Sequence, residues 1–388
     1  MKKIAALFLG MMGTVIVSAQ SVDYTKPHYE ILDGLRGVAA FIVIFYHVFE
    51  CFSSTPAPHG YLAVDFFFVL SGFVIGYAYD NRWGEMTTGG FFRRRLIRLH
   101  PMVIMGCIIG AITFLVQGSV KWDGSSVGLG LVMLAMLSTM FMIPSAAGLP
   151  TEVRGNSEMF PLNGPYWSLF FEYIGNILYA LLLRRAGTKV LGGIAAVSGL
   201  ILAYISISQG QLGIGWTLAD HGFWGGLTRM LFPYTMGMFM ARIFKPMKVE
   251  GAFWKCGAII LVVAFLPVVS TEAMPWLTGA YDAFCVLFIF PALVWMGASE
   301  LTIGKSTSSV CRFVGDLSYP LYTIHYPFMY LFYAHIGFNG ERSVLTIRET
   351  WPEAIILVAG CILLAWLCMR FYDLPVRRWL TKKYLNTK

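Results

Sequence analysis

The recurrence of long apolar runs limits this chain more than any other feature. Candidate spanning stretches fall at 37–52, 61–79, 101–117, 129–143, 165–183, 188–207, 222–243, 252–270, 279–298, 313–334 and 352–371. Such lengths match the ~30 Å hydrocarbon core of a bilayer, in which every backbone polar group must be bonded internally. The fold class is therefore an all-α polytopic membrane protein. Of the 388 residues, 57% are hydrophobic and 13% charged, too apolar for a soluble two-domain protein. The net charge of +8 needs no nucleic acid. Lys and Arg cluster at helix ends, as cytoplasmic faces require. The seven cysteines are scattered, odd in number and without a C-x-x-C pair. They read as packing residues, with no metal or disulfide framework.

Charge placement sets the topology. Basic residues gather at 93–98, Arg184-Arg185-Lys189, Arg242-Lys245-Lys248, Lys305-Arg312 and from Arg370 to Lys388. With all five clusters inside, every stretch alternates correctly except 129–143. That stretch is flanked by Gly and Pro and lies in the long 118–164 loop with Asp123, Glu152 and Glu158. It reads as a re-entrant or interfacial segment on the outer side. About ten transmembrane helices remain, with the C-terminus cytoplasmic and 382–388 as its tail. Residues 1–20 have a basic start, a short apolar run and a small-residue finish at Ser18-Ala19. They read as a signal-peptide-like segment or, if uncleaved, an extra anchor.

Ionisable residues inside these stretches are costly and become site candidates. In ILDGLRGVAAFIVIFYHVF, His47 lies eleven residues beyond Arg36, about 16 Å along a helix. It is therefore well inside the bilayer if Arg36 marks one face. Asp65 lies as far after the 53–60 loop as His47 lies before it, so the two share a depth. Asp65 either orients the imidazole or opens a helix at the interface. In NGPYWSLFFEYIGNILY, Asn163 and Pro165 suit a helix start and put Glu172 two turns inside. Trp167 is either an interfacial belt residue or part of a site. GDLSYPLYTIHYPFMYLF carries His325 mid-membrane, and Pro320 and Pro327 forecast a broken helix. FFRRRLIRLHP sets Arg93, Arg94, Arg95 and Arg98 on one or two turns of an interfacial helix. Such a cluster suits anionic lipid, a topology signal, or phosphates gripped by guanidinium groups.

LDGLRGVAAFIVIFYH, VDFFFVLSGFVIG, FFRRRLIRLHP, YWSLFFEYIGNILY, LSYPLYTIHYPF and YDLPVRRWL resemble, in order, the successive motifs of the acyltransferase-3 family. These are membrane enzymes that O-acylate cell-surface and exported carbohydrates. The resemblance runs over residues 28–381. Its Arg-x10-His pattern falls on Arg36 and His47, its basic motif on Arg93 to Arg98, and its Trp-Ser-Leu-x-x-Glu motif on Trp167 to Glu172. Asp373, Pro375 and Arg377 stand at its closing motif. The signal-like segment is not part of the common pattern, and no hydrolase-like domain follows the last span.

The resemblance implies an enzyme of the bacterial inner membrane with no bound cofactor. Acetyl-CoA or another acyl-CoA would be its cytoplasmic co-substrate, and an envelope or exported glycan its acceptor. His47 would be general base or transient acyl carrier, with Asp65 or Glu172 as its orienter. Arg36 would contact the donor, and Arg93, Arg95 and Arg98 the CoA phosphates. Trp167 and His325 are secondary candidates. Two rival readings are a transporter or flippase of lipid-linked saccharides, and a structural partner in an envelope complex. No inverted repeat supports the first, and the second leaves the buried charges unexplained.

Overall fold

The computed structural model describes residues 28–52, 55–338 and 343–385. The expected signal-like segment 1–20 lies outside them, as do the last three residues of the tail. Helices in chain order are α1 (Glu30–Phe49), α2 (Ala63–Tyr79), α3 (Thr88–Val116), α4 (Leu129–Met140), α5 (Tyr166–Leu181), α6 (Thr188–Gln209) and α7 (Gly222–Ile243). Then come α8 (Ala252–Phe265), α9 (Leu277–Ser299), α10 (Lys305–Ile324), α11 (Tyr326–His335) and α12 (Ile347–Tyr384). The described residues contain no β-strand, only isolated bridges. Six helices are long and apolar enough to cross a bilayer: α1, α2 with its flanking turns, α3, α6, α9 and α12. The chain is an integral membrane protein, all-helical in these residues.

Glycines let the helices that carry the site approach closely. A Cβ at Gly37 on α1 would stand 2.6 Å from the Val314 carbonyl oxygen of α10. One at Gly315 on α10 would meet Asp33 of α1 at 2.9 Å. Small residues at membrane helix interfaces permit such backbone contact, and van der Waals packing then holds the pair. α2 and α7 cross in the same way, with Gly72 against Tyr234 and Gly237 against Val69. The α1–α10 contact lays the two helices that bear Arg36, His47 and His325 side by side.

The expected break occurs at His325, between α10 and α11. Pro327 has no N–H for the carbonyl of Thr323, four residues earlier. That carbonyl instead accepts from Asn163 Nδ2 at 2.8 Å and from the Tyr166 hydroxyl at 3.3 Å. The start of α5 is thereby tied to the break. α3 extends well beyond a bilayer thickness, about 44 Å over its 29 residues. Its first three turns carry the arginines. α12 is longer still and carries Asp373 in a π-helical turn, Met369–Asp373.

Candidate active site

His47 does not meet Asp65. Its Nδ1 lies 2.9 Å from Oε1 of Glu50, one turn further along α1. That carboxylate oxygen also accepts from the Tyr333 hydroxyl at 2.7 Å and, more loosely, from Tyr326 at 3.4 Å. Tyr333 bonds the His47 carbonyl as well. A carboxylate on Nδ1 fixes the imidazole tautomer and leaves Nε2 with a lone pair. His325 is stacked on His47 with ring centroids 5.5 Å apart. Its own Nδ1 faces the carbonyls of Leu321 and Tyr322 at 3.1 and 2.9 Å. Its Nε2 has no partner among the described residues. The Tyr326 ring stands edge-on to His47 at 4.7 Å. His47 and His325 are thus brought together, each with Nδ1 engaged and Nε2 available to accept a proton.

The two carboxylates expected to orient His47 are engaged elsewhere. Asp65 shares a helix face with Val69 and Gly72, the face that packs on α7. It receives Arg229 through both oxygens, at 3.1 and 2.6 Å. Arg229 also bonds the carbonyls of Ile214 and Tyr61 and lies over the Trp167 ring at 4.9 Å. Asp65 and Arg229 are almost fully buried. Breaking such a pair by removing one partner costs about 3–5 kcal/mol. Trp167, 7% exposed, packs with this ion pair. Glu172 accepts from Arg95 at 2.8 Å and from Ser71 at 3.1 Å. Asn176, one turn on, takes the Arg95 Nε at 2.9 Å. Tyr46 lies against Gly60 and Tyr61, so Asp65 is about a turn deeper than His47, and the rotation of each helix decided the partners.

At the other end of α1, Arg36 donates to Ser318 at 2.9 Å and to the Gly315 carbonyl at 3.2 Å. Asp33 pairs with it at 2.8 Å. Arg98 of α3 is exposed there, in the field of Arg36, Arg377 and Arg95 and of the opposing Asp33. The local ion pairs, Arg36–Asp33 and Arg377–Asp373, leave Arg98 out. Arg93 does not join this group. At about 100° per residue it stands about 140° around α3 from Arg98 and about 200° from Arg95. Arg95 is buried by its Glu172 contact, so it braces α3 against α5.

Sequence reasoning missed Glu50, Tyr326 and Tyr333. The signal was present in HVFE: His47 and Glu50 are three apart and so share a helix face. Tyr326 and Tyr333, seven apart on α11, likewise share one face and reach back to α1.

An all-helical membrane protein with a carboxylate-held imidazole and a guanidinium-rich far end has the makings of a group-transfer enzyme. The acyltransferase-3 family profile, described as an acyltransferase domain, matches residues 29–370. The chain belongs to this family and is a membrane acyltransferase. It is 26% identical over 362 residues to acyltransferase MdmB of Streptomyces mycarofaciens, covering 87% of this chain and 86% of the relative. It is 33% identical over 180 residues to protein 2 in the picA locus of Rhizobium radiobacter, covering 44% of this chain and 91% of the relative. A putative O-acetyltransferase of Staphylococcus aureus strain COL is 25% identical over 384 residues, covering 89% of this chain. This chain spans 57% of that relative's length. No solved structure matches the chain.

Proposed function

We propose that the enzyme moves an acyl group, acetyl in the simplest case, from acyl-CoA on the cytoplasmic side to a hydroxyl of an envelope or exported glycan outside. The observation that carries this reading is the polarity of α1. One end holds Arg36 beside the exposed Arg98, and the other holds His47 on Glu50 against His325. Guanidinium groups grip phosphates, and an imidazole with a free Nε2 accepts a hydroxyl proton. Arg98 and Arg36 would hold the CoA phosphates, and the pantetheine arm would run along α1 towards His47.

In the direct route, His47 Nε2 takes the acceptor hydroxyl proton as the oxygen attacks the thioester carbonyl. The C–O bond forms, the C–S bond breaks, and the CoA thiolate recovers the proton from the imidazolium. Glu50 keeps the imidazole in the reactive tautomer and stabilises its charged form. No bound cofactor or metal is required. A two-step route would place the acyl group on an imidazole nitrogen first, and an acyl adduct caught by mass spectrometry would distinguish it.

The orientation in this reading is that of a bacterial inner-membrane protein crossing about ten times, with the C-terminus cytoplasmic and α4 on the outer side without crossing. A reporter fused after Lys388 or within 184–189 is expected to respond as cytoplasmic, and one within 147–158 as external. The activity is tested by radiolabelled acetyl transfer from acetyl-CoA into the envelope glycan fraction, with and without the protein. Label that enters no glycan would overturn the reading.

A further inference from the structure

Several polar groups the transfer chemistry does not use converge where the 141–165 connection and the start of α5 meet α11. Glu158, 7% exposed, accepts from the Tyr330 hydroxyl. Arg154, 1% exposed, lies over the same ring at 3.4 Å. It donates to the Pro161 carbonyl at 2.6 Å and to Gln117 at 2.8 Å, and its Nη2 has no partner among the described residues. Asn163 is fully buried, donates to Thr323, and leaves its Oδ1 without a partner. His325 Nε2 is the third such atom. Buried polar groups are bonded in nearly all native proteins, so three orphans around one pair of rings call for an explanation.

These groups are contiguous with the transfer site. The Tyr326 ring is 4.7 Å from Tyr330 on one side and 4.7 Å from His47 on the other. Glu158 and Glu50 both bear electrostatically on Tyr326, which lies between them. Gly164 lets these groups close up on one another: a Cβ there would stand 2.7 Å from the Tyr326 ring and 3.2 Å from Glu158 Oε1.

The chemistry of the orphans selects a ligand. The Phe114, Trp122 and Tyr330 rings, a carbonyl and an amide anchor Arg154 without using Nη2, while Glu158 bonds a phenol and not the guanidinium. An anion needs donors only, whereas two of the three orphans are acceptors. An apolar chain would leave every orphan unmet. What remains is one free donor, two free acceptors and the Glu158 carboxyl group, beside two aromatic rings. Hydroxyl groups both donate and accept, and the C–H face of a sugar ring packs on aromatic faces. We propose that Glu158, Arg154, Asn163 and Tyr326 form the acceptor subsite, and that it takes a neutral, hydroxyl-rich sugar ring whose neighbouring hydroxyl is presented to His47. This rests on the reading that His47 serves transfer to a glycan.

The test compares two fates of the acyl group. Purified enzyme in proteoliposomes receives radiolabelled acetyl-CoA, with and without the envelope glycan fraction. Transfer to glycan and hydrolysis to acetate are read in parallel. Water needs no sugar subsite, so the ratio of transfer to hydrolysis reports the subsite and not the imidazole. Glu158→Gln and Glu158→Asp are each expected to lower that ratio at least tenfold and to raise the apparent KM for glycan. A neutral oligosaccharide such as maltotriose is expected to inhibit transfer more than oligogalacturonate of the same length. A ratio unchanged in both variants overturns the proposal, as does stronger inhibition by the uronate. Unmodified enzyme that hydrolyses acetyl-CoA but labels no glycan overturns instead the reading on which the proposal rests. If Glu158→Gln does not insert, the Asp variant and the inhibitor comparison on unmodified enzyme still decide.

Discussion

The two ends of α1 are opposites. Around His47 each ionised group is held: Glu50 by an imidazole and two phenols, with Asp65 and Arg229 nearby holding each other. Around Arg36 the charges are more exposed: Arg36 and Arg377 pair with Asp33 and Asp373, Asp316 stands in the same field, and Arg98 is outside the local ion pairs. A group that does chemistry must keep one tautomer and one orientation, and satisfied hydrogen bonds supply both. A group that binds a mobile anion must keep donors unspent. The contrast assigns reaction to one end and donor binding to the other, and each substitution below either breaks or sharpens that division.

The largest effect is expected from His47→Gln, which keeps size and some hydrogen bonding but has no basic nitrogen. Transfer should fall by roughly 10²–10⁴-fold, the usual contribution of a general base, with insertion and donor affinity kept. Near-normal transfer would make His47 a packing residue and move the chemistry to His325. Next comes Glu50→Gln, for which a loss of about 10²-fold in kcat is expected, with the KM for acetyl-CoA little changed. Asp65→Asn provides the contrast. It should lower the amount of folded protein, because Arg229 would keep a buried charge with a weaker partner. If Asp65→Asn instead spares folding and removes only kcat, the orienter has been misassigned.

Arg98→Ala should act on the other end. Loss of one charge-assisted contact is worth on the order of 1.5–3 kcal/mol, seen as a raised KM for acetyl-CoA at nearly unchanged kcat. Arg93→Ala, on the far side of α3, should leave that KM in place. Equal effects of the two would mean that the basic turns serve lipid or topology and do not grip the donor.

The smallest effect concerns pH and the connection outside the spans. Burial pushes the Glu158 carboxyl up to about 7 from 4.5, against opposing help from Tyr330 and Arg154. The folded state therefore keeps a proton that the unfolded chain releases near 4.5. This contribution favours folding at low pH and is lost as pH rises from about 4.5 through about 7. A fall in Tm of about 2–8 °C over that window is expected, and Glu158→Gln should flatten it. A Tm that rises across the window in the unmodified protein alone would contradict the assignment.

Much of this was legible in the sequence. The apolar runs gave the helices, Pro320 and Pro327 gave the break at His325, and Arg36 with His47 gave the two ends of α1. The partners were less legible because loop length fixes neither the exact depth nor the rotation of the helices it joins. Loop length set Asp65 at the depth of His47, but Tyr46 meets Gly60 and Tyr61, so Asp65 lies about a turn further in, and it faces α7 with Val69 and Gly72. Glu172 turns with Asn176 towards Arg95. Glu50 was readable from its spacing to His47, but it lies just past the last apolar turn. The orphan atoms of Arg154 and Asn163 depend on how the 141–165 connection folds back on α11, and no local pattern encodes that.

The most direct measurement of the division is sidedness. Inside-out vesicles loaded with envelope glycan are given radiolabelled acetyl-CoA outside, on their cytoplasmic face. Label is expected in the enclosed glycan with unmodified enzyme, and none with His47→Gln or when acetyl-CoA is supplied only within the lumen. Equal labelling from both sides, or labelling sustained by His47→Gln, would contradict a donor site at Arg36 and Arg98 that feeds an imidazole at the far end of α1.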